Sequence, residues 1–103
     1  MQPFSKQLIL LVKKVILLKN KVLIKLIVPE LDATFDIFIP VNELVWKIKK
    51  LIIKAIADLS NVNISMDIEC VLLNKDNSKV YNNNEIILET DIRNSSELIL
   101  ISK

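Results

Sequence analysis

Few residues in this chain of 103 could do chemistry, and their surroundings limit what that chemistry would be. Cys70 is the single cysteine. As a thiolate it could serve as a nucleophile or redox sensor, but that needs a neighbouring cation, metal or imidazole to ionise it at neutral pH. The chain has no His, so the commonest general base, proton shuttle and metal ligand is missing. Asp67 with Glu69, and Glu30 with Asp32, are spaced as carboxylate pairs that could hold a cation or share acid–base work. Acids beside turns and strand ends are ordinarily solvated surface, and they are read so here. There is also no Gly. Phosphate-cradling loops, dinucleotide fingerprints and nucleophile elbows need that residue where backbone approaches a ligand or takes positive φ. Cys70 is therefore read as a small apolar strand residue in a reducing compartment, with no internal disulfide. No catalytic residue, metal ligand or cofactor is expected, and the chain is read as a non-enzyme.

Function is then left to surfaces, and surfaces depend on the elements that present them. Half the residues are hydrophobic and mostly aliphatic, enough for the core of one domain. The formal charge of +2 is unevenly spread: residues 1–20 carry Lys6, Lys13, Lys14 and Lys19 without an acid. No basic stripe with interleaved aromatics follows, so nucleic-acid binding is not expected. Leu8–Leu18 has a membrane-like look, yet Lys13 and Lys14 interrupt it, each at a cost of about 2.5–3.5 kcal/mol at a bilayer centre. The segment is too short to span and has no small-residue cleavage site. Lys6, Gln7, Lys13, Lys14, Asn20 and Lys21 share one stripe at a helical period, which reads as an amphipathic helix. Two strands, Val15–Leu18 and Val22–Val28, or a start assigned upstream of the true one, fit the same residues.

From Lys21 onward the pattern sharpens. Val22–Val28 and Thr34–Ile39 predict an antiparallel hairpin about the Pro29–Ala33 turn, with Phe35, Ile37 and Ile39 alternating against Asp36 and Phe38. Pro40 ends the strand. A helix is expected from about Asn42, as N-cap, to Leu59, burying Leu44, Ile48, Leu51, Ile52, Ala55, Ile56 and Leu59. Cys70–Leu73 predicts a short strand, Asn74–Asn84 a polar loop with a brief strand at Lys79–Tyr81, and Glu97–Ser102 a closing strand with Leu98 and Leu100 inward.

This order, ββαββ, resembles the β-grasp or ubiquitin-like fold. The stretch CVLLNKDNSKVYNNNEIILETDIRNSSELILI is similar to its second half, with Ile87–Ile92 as the short turn before the closing strand. The phrase VLIKLIVPELDATFDIFIPVNELVWKIKKLI resembles the opening of the YukD/EsaB family, small ubiquitin-like components of type VII secretion systems in Gram-positive bacteria. The resemblance covers about residues 21–103, and the basic extension at 1–20 departs from it. It implies an α+β fold, a mixed sheet crossed by one long helix, and a cytoplasmic adaptor whose partners are other proteins, secretion machinery among them. Ubiquitin-type modifiers and sulfur carriers of this fold end in Gly-Gly, whereas this chain ends Leu100-Ile101-Ser102-Lys103, so conjugation or thiocarboxylate chemistry is not expected. A peripheral membrane role through residues 4–19 is the weaker alternative.

Two surfaces follow as candidates. With Trp46 at 0° and about 100° per residue, Ile53 falls at about −20° and Ala57 at about 20°, while the expected buried stripe centres at about 200°. Trp46, Ile53 and Ala57 are thus expected away from the core, rimmed by Lys47, Lys49, Lys50 and Lys54. A partner, a second copy or residues 1–20 would cover them. If Val71 and Leu73 face the helix, Cys70 and Leu72 face outward beside Ile99 and Ile101. Ubiquitin-like proteins commonly bind partners there, which makes Leu72, Ile99 and Ile101 the second candidate set.

Overall fold

The computed structural model describes residues 20–103 apart from Met66, so the expectations for residues 1–19 lie outside the described residues. Lys21–Val28 forms strand β1 and Ala33–Pro40 strand β2, paired antiparallel with Leu23 opposite Phe38, Lys25 opposite Asp36 and Ile27 opposite Thr34. Alternation sends Ile24, Leu26, Ile37 and Ile39 to one buried face. Between the strands, Pro29–Leu31 makes a 3-10 turn. Asp32 closes it at φ 50°, donating its N–H to the Pro29 carbonyl at 3.0 Å.

Helix α1 runs Val45–Ser60. It starts after Asn42 because residues 41–44 are engaged elsewhere. Leu88 N–H donates to the Val41 carbonyl at 2.9 Å and Ile87 N–H to the Glu43 carbonyl at 3.1 Å, while Leu44 bridges Ile86. The first-turn N–H groups, which a side-chain cap would otherwise satisfy, bond to that same loop. Val45 donates to the Glu85 carbonyl at 2.8 Å and Trp46 to the Asn83 carbonyl at 3.3 Å. Asn61 ends the helix in the left-handed region at φ 57°.

Cys70–Asn74 forms β3 and Glu97–Ser102 forms β4. The sheet order is β2-β1-β4-β3, with β1 and β4 parallel and the other neighbours antiparallel. This mixed sheet with one long helix across it is the expected α+β β-grasp architecture. Lys79–Tyr81 supplies less than a strand: Val80 bridges Leu73, and Tyr81 N–H donates to the Leu72 carbonyl at 3.0 Å. Ile87–Glu89 is a 3-10 turn within the expected turn segment.

The core is aliphatic, with Ile48, Ile52 and Ile56 of α1 packed on the buried sheet face and Tyr81, Ile87 and Ile92 closing its flank. Each such side chain contributes roughly 1.5–3 kcal/mol of burial. The helix is rotated from the expected stripe by about 60° on a 100° per residue wheel. Val45 and Ile53 are buried, while Leu51 is 47% and Leu59 65% exposed. The physical cause is the loop after α1. It brings Ile64 and Ile68 to the helix, where they line one hollow with Ile53, so that flank is covered by the domain itself.

Candidate interaction surface

The sheet face turned away from α1 is built row by row from the strand registers. Leu23 and Phe38 sit side by side at one end, both exposed. The next row alternates charge across the sheet: Asp36 on β2, Lys25 on β1, Glu97 on β4, then Lys75, whose ammonium lies 3.4 Å from the Glu97 carboxylate. Beyond it Ile27, Ile99, Leu73 and Val80 line up as neighbours, and Ile101 pairs with Val71. These last six side chains are all partly or fully exposed and form one aliphatic field bounded by the charged row. Contiguous apolar surface with a polar border is the usual physical character of a contact surface.

Of the residues expected at a contact, Ile99 and Ile101 lie in this field, Ile101 being 40% exposed. Leu72 does not. It is fully buried opposite Leu100, and Cys70 is buried with it, so β3 presents Val71 and Leu73 outward, the reverse of the expectation. Asn74 explains the choice of side. It points inward, where its amide donates to the Tyr81 hydroxyl at 3.1 Å and its Oδ1 accepts the Asp76 N–H at 2.8 Å. A one-residue slip would turn every β3 side chain over and strand that amide. On the helix, Ile53 is only 3% exposed and belongs to the core, so it is withdrawn from the candidate surface. Ala57 is half-buried, and Trp46 is 38% exposed, with the Lys47 ammonium 5.6 Å from its ring centroid. Ile27, Val71, Leu73 and Val80 were missed by the sequence reading. Register alone joins them, and register is set by non-local pairing.

Of the residues singled out for chemistry, Glu30 and Cys70 are tied into the fold, while Asp32, Asp67 and Glu69 are exposed. Glu30 accepts both the N–H and the O–H of Ser102, which holds its carboxyl below the usual range and ties the first turn to the end of β4. Burial pushes the Cys70 thiol up, away from the reactive thiolate. Lys49 donates to the Cys70 carbonyl at 2.9 Å and to Asn83 Oδ1 at 2.8 Å, which fastens α1 to the start of β3. Tyr81 donates its hydroxyl to Asp91 at 2.5 Å. Burial and that acceptor raise its pKa to about 12, and the bond lowers that of Asp91. Among the described residues no cluster of acids and thiol is placed to hold a metal ion, and no helix is long and apolar enough to cross a membrane.

No protein-family model matches this sequence, and neither does any curated protein sequence. Solved structures do match. A ubiquitin-like domain of an Arabidopsis thaliana protein is 16% identical at a TM-score of 0.59, covering 82% of this chain and 79% of its own. The UBL domain of Plasmodium falciparum Dsk2 is 14% identical at 0.59, covering 81% of this chain and 99% of its own. A chain of an ESX-5 inner membrane complex is 12% identical at 0.58, with 82% of this chain laid on 21% of that one. At these identities the likeness shows a ubiquitin-like fold.

Proposed function

We propose that this protein is a non-catalytic adaptor that docks partner proteins on the outer sheet face, through Ile27, Val71, Leu73, Val80, Ile99 and Ile101. The observation that carries the reading is the register: it sets these aliphatic side chains in adjacent rows of one face, with a charged row at the border. Of the groups that could have pointed to chemistry, Cys70 lies in the core and Glu30 is bonded to Ser102. Within this reading the protein is a cytoplasmic accessory component of a type VII-like secretion system. The resemblance of residues 21–103 to YukD/EsaB sequences supports that placement, as does the occurrence of a like-folded region in an ESX-5 inner membrane complex.

The test is site-specific photocrosslinking in the native host, with benzophenone side chains introduced at Val71 and Ile101 and, as control, at Leu59. A discrete adduct with a protein encoded beside this gene, lost when Leu73→Asp is added, is the expected result. Adducts no different from those made at Leu59 would remove the outer face as the contact. Neighbouring genes for an FtsK-type ATPase and small helical WXG-type proteins would support the secretion assignment, and their absence would count against it.

A further inference from the structure

The charged row on the outer sheet face has an order that bears on what can cover that face. Across the strands it runs Asp36 on β2, Lys25 on β1, Glu97 on β4 and then Lys75, so the signs alternate. The four residues share one height. Lys25 pairs with both Asp36 and Glu97, and Lys75 donates its N–H to the Glu97 carbonyl at 3.0 Å. Only the Lys75 ammonium and the Glu97 carboxylate approach closely, at 3.4 Å; among the described residues Lys25 and Asp36 make no ion pair. Beside the row lies the aliphatic field of Ile27, Ile99, Leu73 and Val80, whose contact with water is unfavourable.

Reversing this row turns each sign into its opposite. Two sheets stack face to face about 10 Å apart, close enough for long charged side chains to meet between them. Consider a second copy turned about a two-fold axis that runs along the strands, between β1 and β4. It lays β1 over β4 and β2 over β3. Lys25 then meets Glu97 of the second copy and Asp36 meets Lys75, and symmetry makes each contact twice. The same rotation sets Ile27 over Ile99 and Leu73 over Thr34, since the ladders hold these residues at one height. An axis laid across the strands over the row would instead set every charge on its own like, which opposes contact. We propose that a second copy of this chain closes the outer face, sheet on sheet, about the axis parallel to the strands. The inference rests on the adaptor reading of that face and gives it a regulation: the self-paired form withholds the surface, and a partner protein has to displace the second copy. Burial of the aliphatic rows supplies the attraction, and the charges fix the axis.

Sedimentation velocity on the full-length protein over a wide range of concentrations measures the association. A monomer–dimer equilibrium is expected, and Leu73→Asp should abolish it. Lys25→Glu sets acid against acid across the axis, and Glu97→Lys sets base against base, each twice per dimer. Either variant alone should associate at least about tenfold more weakly. An equal mixture of the two should dimerise again, because each chain supplies the sign the other lacks. Lys25 and Glu97 are also neighbours within one chain, so restoration in the mixture, rather than in a doubly reversed chain, isolates the contact between copies. Circular dichroism reports the fold of each variant. Should one unfold, a benzophenone side chain at Ile101 of the otherwise unaltered protein decides: an adduct of doubled mass to the tryptic peptide 26–47 of the second copy is expected, and its absence overturns the proposal. So does a monomer at every concentration, association indifferent to Leu73→Asp, or a mixture that associates no more strongly than its components. An adduct at Ile101 to residues 1–19 of the same chain would give the face to that segment and overturn the second copy. If Val71 and Ile101 crosslink in the host only to a foreign protein, the adaptor reading stands and the self-paired form falls. If they crosslink to nothing beyond the Leu59 control, both fall.

Discussion

Leu72 and Leu73 are adjacent, chemically identical and on opposite faces of β3, so truncating each in turn reads the orientation of the whole outer surface. Leu72 has no exposure and packs in the core opposite Leu100. Leu72→Ala removes three carbon atoms from a site that can relax only in part, at a cost of about 3–5 kcal/mol. For a domain of this size that corresponds to a fall in Tm of roughly 15–30 °C, a large share of a total stability of about 5–15 kcal/mol. Leu73 is half-buried between Ile99 and Val80, with water on its outer side. Leu73→Ala gives up cross-strand contact and part of the burial, about 0.5–1.5 kcal/mol. Urea titration followed by the fluorescence of Trp46 and by circular dichroism measures both. The midpoints should separate widely while the slope stays constant, which keeps the comparison within one two-state transition. If Leu73→Ala costs as much as Leu72→Ala or more, β3 is turned the other way and the aliphatic field on the outer face does not exist.

Ile53→Ala should cost about 2–4 kcal/mol in the same assay, while Leu59→Ala, on a mostly solvated side chain, should change stability by less than about 0.5–1 kcal/mol. The opposite order would restore the helix orientation expected from the wheel. Tyr81→Phe should cost about 1–3 kcal/mol at neutral pH, because it leaves Asn74 and Asp91 without the hydroxyl. The Tyr81 pKa is raised when folded, so its contribution is complete below an unfolded value of about 10 and is lost as pH climbs through about 12. That of Asp91 is lowered, so its share is present above an unfolded value of about 3.9 and is lost as pH falls below it. The stability gap between Tyr81→Phe and the unaltered chain should therefore close at both extremes, and a gap flat from acid to alkaline pH would refute the coupling. Ser95→Gly should stabilise by about 0.5–1 kcal/mol, since Ser95 holds φ 72°, where only Gly is free of Cβ crowding.

The elements were legible because each carries its own local signal. Alternation over Thr34–Ile39, the three-and-four spacing within the helix and the run Glu97–Ser102 mark their elements without reference to anything distant. Which side an element buries was legible only where polar residues mark the other side. In β1 and β2, Lys25, Asp36 and Thr34 do so. In β3, Val71, Leu72 and Leu73 are all aliphatic, and Asn74, the one polar residue, faces inward to Tyr81. Local hydrophobicity is then silent, and pairing with β4 decides. The helix posed the same problem in the round. Leu44, Val45, Leu51, Ile53 and Leu59 are all apolar, and rotating the stripe by about 60° exchanges which are wet. The deciding residues are Ile64 and Ile68, two apolar residues in the segment between the helix and β3, which line one hollow with Ile53. Their presence there was the available signal.

The missing glycines bear on how this fold can be read by a partner. The chain still enters the left-handed region at Asp32, Asn61, Ser78 and Ser95, each a residue whose short polar side chain can compensate locally. The loops also consume much of their own polarity. Asn74 Oδ1 takes the N–H groups of Asp76 and Asn77, Asn77 Oδ1 that of Lys79, Glu85 that of Asn82, and the Ser96 hydroxyl that of Arg93. Turns built this way hold their N–H groups inward, whereas a glycine loop would present them bare to a phosphate or carboxylate. The outer sheet face, by contrast, carries its aliphatic side-chain field in the open, set by the sheet register.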